Sequence, residues 1–113
     1  MSKRSAVELL IDIVKSAEKI SLYITCLTYE EFIANGLVID AVIRNIEIIG
    51  EASNRLPDEY KDKTPEIDWH KIRGLRNRIV HDYFGIDHDI IWSVINDYLP
   101  NLVIQINILL EKL

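Results

Sequence analysis

The sequence predicts an all-α protein, a bundle of four or five helices with short connections, folded as a single domain over residues 1–113. Three observations carry that prediction. Apolar residues recur at spacings of three and four along most of the chain, and no segment shows the two-residue alternation of a half-buried strand. Only four glycines and three prolines punctuate the chain, too few for an all-β architecture dense in turns. A composition of 49% hydrophobic and 27% charged residues suits one packed core at this length.

The first helix is expected from about residue 3 to 25, where Val7, Leu10, Val14, Ala17, Ile20 and Ile24 form a stripe that Leu9 and Ile13 widen. Its start, MSKRSAVELLIDIVKSAEK, has the basic-then-apolar order of a signal peptide, but Glu8, Asp12 and Lys15 interrupt the apolar residues at helical spacing. A leader is therefore not expected, and no apolar run approaches the roughly 20 residues of a membrane span. The single cysteine, Cys26, fits a reducing compartment, so a cytoplasmic location is expected, with Cys26 as a small core residue. Thr28 and Glu31 stand at capping-box spacing and open a short second helix, which Asn35 and Gly36 should stop.

Residues 37–56 form the third helix, ending before Pro57. Its apolar residues cover more than one stripe, which places it between neighbours or in an oligomer interface. Gly50 on this helix would let another backbone approach closely. The polar stretch PDEYKDKTPEID, residues 57–68, reads as the longest loop. Asp68 should cap a helix that begins at Trp69 and ends at Gly85, and Asp87 the next one. From 88 to 112 apolar residues continue at helical spacing, with Pro100 expected to kink or divide the segment. Trp69 and Trp92 have the neighbours of core anchors, whereas His70 and His88, at helix starts, are expected to be exposed.

The net charge is −5, unevenly spread. From Trp69 to His81 the chain carries Lys71, Arg73, Arg76 and Arg78 and no acid, so this window is +4 and the remainder −9. A basic stripe on an acidic body suits one focused anionic ligand, or else a basic helix paired with acidic neighbours.

On an ideal helix at about 100° per residue, with Arg76 at zero, Trp69, Ile72, Leu75, Ile79 and Val80 define an apolar face that contains Arg76 itself. Tyr83 falls at about 340°, stacked over Arg76, while Asn77 and His81 lie at about 100° and 140°. A guanidinium on a core-facing stripe needs a partner, such as Glu47 or Glu51 on a neighbouring helix, or an aqueous cleft where an anion binds. Arg76 and His81 diverge by about 140°, but two such helices about a two-fold axis would bring both pairs into one groove. Cleavage of RNA by its own 2′-hydroxyl benefits from a base, an acid and a cation, and two histidines and an arginine supply these without a metal or other cofactor. Arg73 is a further candidate contact to the RNA backbone; Arg78 reads as a solvated charge.

Arg76, four residues, His81, one residue, Tyr83 resembles the Arg-x4-His-x-Tyr motif of HepT-like HEPN toxins. IEIIGEASNRLP (46–57), DWHKIRGLRNRIVHDYFGID (68–87), Trp92 and Leu99-Pro100 agree with it, so the resemblance covers essentially the whole chain. It implies an all-helical homodimer whose two motifs line a shared cleft and act as a metal-independent ribonuclease on tRNA or mRNA. It further implies a toxin neutralised by a partner of the minimal nucleotidyltransferase (MNT) type, which transfers AMP to Tyr83. In that scheme Arg76 binds phosphate and stabilises the transition state, His81 is the general acid and base, and Asn77 is an accessory polar group. The competing expectations are a module that binds nucleotide or RNA without cutting, and a structural subunit of a nucleotidyltransferase.

Overall fold

The computed structural model describes residues 3–113, and among them every regular element is helical. Four long helices make the bundle: α1 (Ala6–Tyr23), α3 (Gly36–Arg55), α5 (Trp69–His81) and α7 (Leu99–Lys112). Three short ones, α2 (Tyr29–Ile33), α4 (Asp58–Asp62) and α6 (His88–Ser93), sit in the connections. The all-α prediction holds, with α4 formed inside the segment expected to be loop.

Helix α3 is the centre of the bundle, with α1 packed on one side and α5 on the other, and α7 lies against α1. This is why its sequence is apolar on more than one stripe. Val42, Ile46 and Ile49 of α3 are fully buried with Leu10, Ile13 and Ile20 of α1, Ile72 of α5, and Leu102 and Ile106 of α7. Burying such side chains contributes about 1.5–3 kcal/mol each.

The helix starts follow local chemistry. Ser5 and Glu8 form a reciprocal capping box, with the Glu8 N–H donating to Ser5 Oγ and the Ser5 N–H to the Glu8 carboxylate. Thr28 and Glu31 repeat the device at α2, as their spacing predicts. Asn35 and Gly36 do not act as a stop: α2 ends at Ile33 with Ala34 as its C-cap, and Asn35 caps α3 by accepting from the Val38 N–H at 3.1 Å. The same residue type serves either end, and here the long apolar helix that follows decides which. Cys26 also departs from expectation. It is exposed, in the α1–α2 turn, with φ of 64°.

The start of α5 is fastened in three ways. Asp68 accepts from the Lys71 N–H, the buried Thr64 accepts from Trp69 Nε1 at 3.0 Å, and Tyr98 Oη donates to the Asp68 carbonyl at 2.7 Å. Both tryptophans are half-buried against the core, as expected, Trp92 resting on Phe32 and Tyr29. Pro100 divides the last segment without breaking it. The chain passes from α6 through a wide π-helical turn, Val94–Tyr98, in which the Leu99 N–H reaches back to the Val94 carbonyl. That widening absorbs the N–H that Pro100 lacks and the clash its ring makes with the preceding turn. Among the described residues no helix is long and apolar enough to cross a membrane.

Candidate active site

Helix α5 presents Ile72, Leu75 and Ile79 to the core. Arg76 stands beside them, half-buried, with its side chain 26% exposed. Its aliphatic stem lies on the backbone of α3 at Gly50, where an added Cβ would overlap Arg76 Cβ and Cγ. The close approach expected of Gly50 is therefore real, and what approaches is the arginine. Val80, placed on the apolar face by the wheel, is half exposed.

The guanidinium has two protein partners. Nη2 donates to Glu51 Oε2 at 3.0 Å, and Nη1 to Asn77 Oδ1 at 3.2 Å. Glu51 is one of the two acids expected to pair with it. Its other oxygen, Oε1, accepts from Arg55 Nε at 3.1 Å, so one carboxylate serves two arginines. The guanidinium opens onto a cleft of about 410 Å³ whose walls include Arg4, just ahead of α1, Asp12 of α1 and Arg44, Glu47, Glu51 and Arg55 of α3. Arg4 is tied to Asp12 and Glu8, whereas Arg44 makes no ion pair among the described residues. The sequence reading missed Arg44 and Arg55. Their spacing from Glu51, seven and four residues, puts all three on one stripe of α3 and would have found them.

His81 is the last residue of α5 and is exposed. It stands five positions after Arg76, a rise of about 7.5 Å along the helix, and it does not line the arginine's cleft. Within one chain the structure joins Arg76 with Asn77 and leaves His81 apart. Arg73 lines a separate hollow of about 330 Å³, with Asp58, Asp62 and Asp68 in its walls.

Tyr83 corrects the helical-wheel expectation. Helix α5 stops at His81 instead of Gly85, because Asp82 leaves the helical region, with φ of −150° and ψ of 61°, and a 3-10 turn, Tyr83–Gly85, follows. The Asp82 carboxylate folds over Gly85, where any side chain would collide with it, and the Gly85 N–H donates to the Asp82 carbonyl. Tyr83 is consequently not stacked over Arg76. It is 43% exposed, and its Oη donates to Asp40 Oδ1 at 2.9 Å, near the start of α3. The hydrogen bond to Asp40, with lesser contributions from desolvation and the negative charge of Asp40 and Glu47, raises the phenol's pKa above its ordinary value. Asp40 and Glu51 are eleven residues apart, so the seats of the tyrosine and the arginine lie roughly 16 Å apart along α3. An AMP phosphate on Tyr83 pairing with Arg76 of its own chain does not fit that separation.

A half-buried arginine that lines an open cleft and an exposed histidine outside it, five residues apart on one helix of an all-α bundle, define the class of helical protein to which this chain is to be compared. The family model described as "Ribonuclease HepT-like" matches residues 13–109, and the chain belongs to that HepT-like family. A Methanocaldococcus jannaschii protein named "Putative RNase MJ1380" is 38% identical over 108 residues, covering 96% of this chain and 99% of its own. A Thermococcus cleftensis protein named "Probable ribonuclease HepT" is 36% identical over 100 residues, covering 88% and 91% respectively. No solved structure gives a significant match.

Proposed function

We propose that this protein is a metal-independent endoribonuclease, active as a homodimer, and the toxin of a HEPN/MNT toxin–antitoxin pair. The observation that carries the proposal is the state of Arg76. A guanidinium has five N–H donors, and here two are used by protein while the partly exposed side chain lines an open cleft. Such a group binds a phosphate and stabilises the charge that accumulates on it during attack by the 2′-hydroxyl. His81, exposed and uncommitted to any hydrogen bond among the described residues, moves the protons. Two α5 helices about a two-fold axis supply two histidines, so that one takes the 2′-hydroxyl proton and the other protonates the leaving oxygen. Asn77 steadies the guanidinium, and Arg73 contacts the RNA backbone farther out.

The antitoxin, a nucleotidyltransferase, would transfer AMP from ATP to Tyr83. The bond formed joins Oη to the α-phosphorus, the α–β anhydride breaks, pyrophosphate leaves, and the phenolic proton passes to a base. The exposure of Tyr83 supports access. Inhibition then acts through bulk or across the dimer, since its own Arg76 is out of reach.

The test is cleavage of total tRNA and mRNA by wild type, Arg76→Ala and His81→Ala, with and without EDTA. Chelator-insensitive cleavage lost in both variants is expected. RNA binding without cleavage would instead favour a binding module, and neither activity a structural subunit of the nucleotidyltransferase.

A further inference from the structure

We propose that Glu51 is the positioning residue for Arg76 and that Arg55 keeps the seat cationic. The inference rests on the reading of Arg76 as the phosphate-binding group and adds three residues to it: Gly50, Glu51 and Arg55. Gly50 removes the Cβ that would hold the arginine stem away from α3, so the stem lies flat on the helix. Glu51 then fixes the far end by its hydrogen bond to Nη2. With the stem against backbone, Nη2 held by Glu51 from the neighbouring helix and Nη1 held by Asn77 of its own helix, the guanidinium is fixed at both ends, and Glu51 supplies the only one of these side-chain anchors that comes from α3.

A carboxylate so close would ordinarily cancel the charge that an anion must find. Arg55 prevents this. It takes the other oxygen of the same carboxylate, so the cluster of two guanidiniums and one carboxylate keeps a net charge of +1 at the mouth of the cleft. Arg44 stands on the same stripe of α3, eleven residues before Arg55; Glu47 offsets it and Asp12 offsets Arg4, so the wall as a whole keeps that single positive charge. The division of labour is therefore definite. Glu51 governs orientation, which belongs to the chemical step, and Arg55 governs charge, which belongs to capture of the polyanion.

Two measurements test this on the full chain. The first is independent of activity: nitrogen-15 NMR of the arginine side chains. Restricted rotation of the Arg76 guanidinium is expected in wild type, clearly faster rotation in Glu51→Ala, where only the Asn77 contact is left, and an intermediate rate in Glu51→Gln, whose amide oxygen still accepts. Unchanged Arg76 signals in Glu51→Ala, with circular dichroism confirming the fold, would overturn the proposal whether or not the protein cuts RNA. The second is steady-state cleavage of a defined RNA. Glu51→Ala should lower kcat by about tenfold or more with little change in KM, and Glu51→Gln should recover part of the loss. Arg55→Gln should raise KM, more steeply as salt is lowered, with kcat within about twofold of wild type. If Arg76→Ala abolishes cleavage while Glu51→Ala leaves kcat untouched, the positioning role fails and the role of Arg76 stands. If Arg76→Ala cleaves normally, the reading of Arg76 fails, and the NMR result still decides the structural part.

Discussion

Replacing Gly50 by alanine sets two physical effects against each other, and the structure says which wins. Glycine inside a helix costs roughly 0.5–1 kcal/mol relative to alanine, so at an open position the substitution would stabilise α3 by that amount. At position 50 the new methyl meets Arg76 Cβ and Cγ at less than 3.0 Å. These atoms are the root of the side chain, so they cannot swing away as a flexible tip would, and α5 itself must move. Overpacking of this kind typically costs 1–3 kcal/mol. The net expectation is a destabilisation of about 1–2 kcal/mol. With an unfolding entropy of about 2.1 cal/mol/K per residue, each kcal/mol is worth about 4 °C in a chain of this length, so Tm should fall by about 4–8 °C. The assay is thermal unfolding followed by circular dichroism, repeated in an Arg76→Gly background that removes both crowding atoms. There only the propensity gain is left, and Gly50→Ala should raise Tm. A Gly50→Ala protein as stable as wild type in the native background would refute the close approach of α3 and α5, and with it the seat described for Arg76.

Asp40→Asn removes the carboxylate that accepts from Tyr83 and should return the Tyr83 pKa toward the ordinary phenol value, read as a downward shift in its ultraviolet or NMR titration. Tyrosine ionisation should also set the alkaline limit of the fold. Tyr98 is raised chiefly by burial, and Tyr29 is pushed up to about 12 chiefly by a hydrogen bond to Asp89. The unfolded chain therefore releases these protons first, and the stability they contribute is complete below pH about 10 and declines as pH rises above it. Tyr98→Phe should flatten that decline in urea unfolding between pH 9 and pH 11 (values chosen about the ordinary tyrosine pKa of roughly 10); an unchanged slope would exclude Tyr98 as its source. Ser5→Ala, which removes one half of the capping box on α1, should cost about 1 kcal/mol in the same assay.

Much of this architecture was legible in the sequence because helix periodicity and capping are local. The stripes of α1 and α3, the capping box at Thr28 and the Asp68 cap all depend on residues within a few positions of one another. The close approach at Gly50 was legible too, though not its partner, because contacts between helices are set by packing angles that spacing does not encode. Two local readings failed where two local signals competed. Asn35-Gly36 suited a helix end as well as a helix start, and the length of α3 decided it. Asp82 suited continuation of α5 less well than the wheel assumed, and its departure carried Tyr83 away from Arg76 to Asp40. That contact, 43 residues apart in sequence, has no sequence signal at all. Arg55 was the opposite case, a visible i, i+4 partner of Glu51 that mattered only once Glu51 was known to hold Arg76.

The pairing of Arg76 with Glu51 is the contact a purely structural arginine would make, and a phosphate-binding arginine needs the same contact to stay in place. Pairing alone therefore does not separate the two roles. What separates them is the remainder after pairing. A structural guanidinium closed inside a core must have its N–H groups satisfied by protein, because a buried unsatisfied donor costs about 1–3 kcal/mol. Arg76 spends one donor on Glu51 and one on Asn77, and its side chain, which lines the cleft, is still 26% exposed. Its remaining donors are tolerable because water reaches them, and an anion entering the cleft would replace that water. The charge balance points the same way. An arginine kept for stability is best matched one to one, whereas here a second arginine shares the carboxylate and leaves the cluster positive. The acid holds the cation without silencing it, which is the condition an anion-binding site requires.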